Sequence, residues 1–185
     1  MSNIKSLSNL NPTTTQKKVG WDFWWKWLIA NVFGLVNGGM LLPITQWLVL
    51  RNRVTRLPKT GWWVLATFLG FYGGLSVSVN TIFIIPNLIT NPNTVIVTFT
   101  IFSTFALILS IMQWLLLRRW VYQSHKWIWT NVMGGLAAAI ILNIWAASVG
   151  RSDNRLFAGF LVAFLVYIGI TGFVLMRLLR NPISK

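Results

Sequence analysis

The chain has no cysteine, one histidine and only two acidic residues, Asp22 and Asp153. Without cysteine there are no disulfides and no thiolate metal sites. Two isolated acids cannot supply the carboxylate pair that general acid–base chemistry uses. Neither acid lies inside an apolar stretch, where proton-coupled transport usually needs one. His125 stands beside Lys126 at an expected loop, whereas a haem or chlorophyll ligand belongs in a dry pocket. A serine nucleophile would find no histidine partner in the apolar segments. Gly38-Gly39 and Gly73-Gly74 lie within apolar stretches, so they do not make the phosphate loop that follows a strand and precedes Gly-Lys-Ser or Gly-Lys-Thr. We expect no enzymatic activity, no cofactor and no bound metal.

What the chain does have is apolar length. Of its 185 residues 55% are hydrophobic and 10% charged, against about 25% charged in a soluble domain. No residue between Lys59 and Arg118 carries a charge. A transmembrane helix needs only about 20 apolar residues, so such a run reads as membrane-embedded. The net charge of +14 would suit nucleic acid, but its placement does not. The lysines and arginines flank apolar segments, where they orient helices and hold anionic lipid headgroups. A nucleic-acid footprint would form a face or a stripe. We expect the bilayer and its anionic headgroups as partners, with no nucleic acid.

One six-residue ending recurs. Gln46-Trp47-Leu48-Val49-Leu50-Arg51 returns as Gln113-Trp114-Leu115-Leu116-Leu117-Arg118, and in altered form as Gly172-Phe173-Val174-Leu175-Met176-Arg177. An aromatic ring followed by a cation suits a membrane interface, with the ring at headgroup level and the arginine reaching phosphate. A matching beginning also recurs. Lys26-Trp27, Asn31-Val32 and Gly34 correspond to Lys126-Trp127, Asn131-Val132 and Gly134, and Gly61-Trp62-Trp63 opens in the same style. Entering helices thus start with Trp at one interface, and returning helices end there with Trp and Arg. Trp47, Arg51, Trp62, Trp114, Arg118 and Trp127 are the expected interfacial anchors.

The fold expected from this pattern is all-α, a polytopic bundle of five membrane segments built from entering and returning repeats. The segments fall at about 24–50, 61–85, 95–117, 127–149 and 156–177, in one domain over 21–180. Residues 1–20 read as a disordered polar tail without a cleavable signal, and 181–185 as a short tail. The connectors 51–60 and 118–126 carry seven cations, while 86–94 carries none, so the positive-inside rule places the basic loops and the C-terminus in the cytoplasm. The choice between a plasma and a thylakoid membrane stays open.

The first segment admits two topologies. As a single span it puts the N-terminus outside, with ten cations inside and six outside. As a re-entrant segment broken at Asn37, Gly38, Gly39 and Pro43, it gives fourteen inside and two outside. Length favours the single span, because a buried break requires new hydrogen-bond partners in lipid. We take the single span as the expectation.

Within the spans, small residues recur every four positions. Ala66, Gly70, Gly74 and Ser78 form one stripe; Asn131, Gly135, Ala139, Asn143 and Ala147 form another. Such stripes allow close helix packing within the bundle or between copies. Gln46 and Gln113 sit five residues before their arginines and could bridge the repeats as hydrogen-bonding glue. A porphyrin-type ligand role for the pair is the weaker alternative. Asn80, Asn131 and Asn143 could line a polar path.

The stretch from the Gln-Trp-Leu-Val-Leu-Arg ending through the basic loop to Gly61-Trp62-Trp63-Val64-Leu65-Ala66-Thr67 resembles a group of small multispanning membrane proteins frequent in cyanobacteria and some other bacteria. The resemblance is strong over 44–70, fair over 111–136 and faint over 170–180. It departs in the shortened first unit and at Gly172-Phe173. It implies topology and assigns no activity. Three functions stand open at this point: a non-enzymatic scaffold, accessory subunit or self-associating bundle; a small-solute channel or carrier; and a pigment or apolar-cofactor binder. The first fits the packing stripes best.

Overall fold

A computed structural model describes residues 19–51, 61–84, 94–149 and 153–180. The polar tail, most of both long connectors and the C-terminal tail lie outside these described residues, and so do the expectations made for them. Among the described residues there are six helices: α1 (Trp21–Val36), α2 (Leu42–Arg51), α3 (Gly61–Ile84), α4 (Thr94–Leu117), α5 (His125–Val149) and α6 (Asp153–Arg180). The last four are long and apolar enough to cross a membrane. At 24 to 28 residues each, they extend about 36–42 Å.

The first segment is not a single span. α1 has 16 residues and α2 has 10, or about 24 and 15 Å, so neither crosses a hydrocarbon core of about 30 Å. The chain reverses at Asn37–Leu41 because Gly38 and Gly39 adopt φ of 70° and 79°, a region open to glycine and costly for other residues. The freed backbone groups find partners locally. Gly38 N–H donates to the Leu35 carbonyl at 2.9 Å and Gly39 N–H to the Gly34 carbonyl at 3.1 Å, the paired bonds of a Schellman ending. The Asn37 amide donates to the Phe33 carbonyl at 2.8 Å, and Pro43, lacking an N–H, sits in the first turn of α2. The expected shortage of partners is thus met inside the turn itself. The fold has four candidate spans and one helical hairpin, in place of five segments.

Each helix packs on its sequence neighbours, and α6 closes onto α1, so the six form a ring. Small residues set the spacing. A Cβ on Gly34 would fall 2.6 Å from the Leu42 Cα, which brings the arms of the hairpin together. On the α3 stripe, a Cβ on Gly70 would fall 2.9 Å from the Leu109 Cα, and one on Gly74 3.2 Å from the Phe105 carbonyl oxygen. Ser78 continues this face and donates to the Ile101 carbonyl at 3.2 Å. The α5 stripe behaves differently along its length. Gly135 lies against Phe102 and Ala106 of α4 and Ala139 is buried, but Asn143 is half-buried and Ala147 exposed.

The starts of α1, α3 and α5 and the ends of α2, α4 and α6 share one end of the ring. There Trp27, Trp63, Trp127, Leu50, Leu117 and Leu175 pack into the main apolar core. Arg180 fastens the chain before α1 to α6, its Nε donating to the Val19 carbonyl at 2.7 Å.

Candidate functional site

Just inside that core lies a layer of side-chain hydrogen bonds. Gln46 and Gln113 reach it from equivalent positions on α2 and α4, each about 7.5 Å along the axis from its arginine. Helical spacing also carries Asn31, Thr67 and Asn131 inward, one turn beyond Trp27, Trp63 and Trp127.

Gln46 Nε2 donates to Asn31 Oδ1 at 2.7 Å, and its Oε1 accepts from Trp63 Nε1 at 3.1 Å. Gln113 Nε2 donates to Gln46 Oε1 at 3.3 Å and to Thr67 Oγ1 at 3.0 Å. Trp127 Nε1 donates to Gln113 Oε1 at 3.2 Å. The Tyr167 hydroxyl, from α6, donates to Asn131 Oδ1 at 2.6 Å. Asn31 and Asn131 each turn their remaining amide onto their own helix, bonding the carbonyls of Trp27 and Trp127 at 2.7 and 2.8 Å. Gln46, Thr67, Gln113 and Asn131 are all no more than 4% exposed. The network contains no carboxylate, ammonium or imidazole, and its cavity is only about 20 Å³. It can fix helices; it offers no acid, base or nucleophile of ordinary strength.

The three matched endings take comparable geometry. Arg51 lies over the Trp47 ring at 5.2 Å, Arg118 over Trp114 at 5.3 Å, and Arg177 over Phe173 at 4.5 Å. Two of the three sectors also pair a glutamine with a tryptophan indole. In the third, Gly172 replaces the glutamine. A Cβ there would fall 2.5 Å from Trp27 Cδ1, so the ring occupies the space a side chain would need. Trp27 Nε1 is accordingly buried without a hydrogen-bond partner.

Several residues singled out in the sequence take other places. Trp127 is buried at 1% exposure and serves the network, whereas Trp62, Arg51 and Arg118 are exposed as interfacial anchors should be. Trp47 and Trp114 are partly buried on the edge of the core. Asn80 is exposed and bonds only the Ser76 carbonyl; Asn143 bonds the Ala139 carbonyl. Neither joins Asn131, so the three asparagines do not form one path. Gln46 and Gln113 do meet. Asn31 enters the site through the repeat it shares with Asn131, while Thr67 and Tyr167 carry no comparable signal in the sequence.

Beyond the polar layer, where the short hairpin leaves the long helices uncovered, an apolar cleft of about 140 Å³ opens. Leu35, Phe71, Phe102, Phe105, Phe164 and the ring of Tyr167 contribute to its walls. Tyr167 thus faces the cleft with its ring and the network with its hydroxyl. Comparison with protein-family models, with characterised proteins and with solved structures found no match for this chain.

Proposed function

We propose that this protein is a non-enzymatic integral membrane bundle that works by packing, as a scaffold, an accessory subunit or a self-associating unit. The observation that carries this reading is the closure of the polar layer. Gln46 and Gln113 spend their amides on each other, on Asn31 and Thr67, and on two indoles, which holds α1 to α5 in register. The remaining cavity of about 20 Å³ has room for about one water and nothing larger, which argues against a solute path through this end. The basic end faces the cytoplasm in this reading, with fourteen of sixteen cations on that side.

The test is native mass spectrometry and partner capture in mild detergent. We expect an assembly larger than one chain. A bare monomer that turns over a substrate, and loses that turnover on replacement of one residue, would overturn the reading. A second reading has its own support: the apolar cleft suits a hydrocarbon-like cofactor or pigment. Visible absorbance or an extractable apolar compound in the purified protein would favour it, and their absence from protein extracted gently from native membrane would remove it.

A further inference from the structure

At the basic end, outside the network, a groove of about 540 Å³ runs between the start of α5 and the end of α6. We propose that this groove binds the headgroup of an anionic phospholipid. Its two charged walls are Lys126 and Arg177, and both side chains are exposed. No acidic side chain is among its described lining residues, and the two charges there are both positive. The Arg177 guanidinium is held over Phe173 at 4.5 Å, which fixes one cation at the groove wall. Trp129 and Tyr122, 68% and 63% exposed, stand beside the cations. Amphipathic rings of this kind settle at headgroup level. Leu178 supplies an apolar wall along which the start of an acyl chain can lie. A volume of this size suits a small-molecule group. Basic pockets between helices at a membrane face are where anionic headgroups bind.

The proposal rests on the ring lying in a bilayer and is independent of whether the protein scaffolds or binds an apolar cofactor. The full chain is reconstituted in vesicles of equal phosphatidylglycerol and phosphatidylcholine, then extracted gently, and the retained lipid is read by native mass spectrometry. Wild type should keep phosphatidylglycerol preferentially. Each cation should contribute about fivefold, so Lys126→Gln with Arg177→Gln should bring the two lipids near parity. Lys26→Gln with Arg119→Gln removes the same charge from the same end, at exposed positions outside the groove, and should preserve the preference. Should the first pair fail to fold, Lys126→Gln alone, at an exposed position, should lower the preference about fivefold. Equal loss in both pairs, or no preference in wild type, would overturn the proposal. Displacement of the lipid by soluble glycerol phosphate would also overturn it, by identifying a free phosphate ester as the ligand. In each of those outcomes the protein still requires detergent, and the membrane reading stands.

Discussion

A glutamine in an apolar helix is costly unless each of its groups finds a partner. Gln46 has several, so its replacement leaves Trp63 Nε1 and Asn31 Oδ1 buried and unpaired. Gln46→Leu should cost about 1–3 kcal/mol. Asn80→Leu alters an exposed residue bonded only within its own helix and should stay within about 0.5 kcal/mol. Unfolding in mixed detergent micelles compares the two, and equal losses would mean that the network does not hold the ring. At this scale the sequence is partly legible. Repetition marks Gln46, Gln113, Asn31 and Asn131, since an amide kept at the same offset from Trp or Arg signals a shared environment. Tyr167 lies unmarked among apolar residues of α6, and only the fold brings its hydroxyl to Asn131. Trp127 follows the same interfacial pattern as Trp62 in the sequence, yet the two face opposite ways.

The elements are set by glycine in two distinct roles. On α3 it removes volume: Gly74 meets the backbone and ring of Phe105, so Gly74→Leu should cost about 1–3 kcal/mol through overpacking. Phe68 is exposed, and Phe68→Leu should be mild by the same detergent assay. Comparable stability of the two variants would exclude the α3–α4 contact. In the hairpin, glycine supplies conformation. No atom lies within 4 Å of a Cβ built on Gly38, so Gly38→Ala isolates the cost of its positive φ, about 1–2 kcal/mol. A thermal shift indistinguishable from wild type would mean that the turn is not held in this form. The stripe at Gly70 and Gly74 can be read from spacing alone. The hairpin is harder, because Asn37, Gly38, Gly39 and Pro43 mark a break while the apolar length of 24–50 argues for a span. Length misleads here because the Schellman ending satisfies the exposed backbone within five residues.

For the whole molecule, the consequence of the hairpin is topological. Four helices long and apolar enough to cross a membrane, and one returning hairpin, bring the described N-terminal residues and the end of α6 together, as the bond from Arg180 to Val19 records. Charge asymmetry in the sequence already pointed to this arrangement: fourteen cations against two, compared with ten against six for a five-span chain. For the number of membrane segments, the charge count agrees with the helix lengths better than local apolar length does. The absence of cysteine from the chain permits a direct test by single substitution. Ser8→Cys, Thr60→Cys and Asn91→Cys are compared in intact cells with a membrane-impermeant thiol reagent, before and after permeabilisation. The hairpin predicts that Ser8 and Thr60 are both protected until permeabilisation while Asn91 labels at once. Labelling of Ser8 together with Asn91, with Thr60 still protected, would contradict the hairpin and restore a five-span chain.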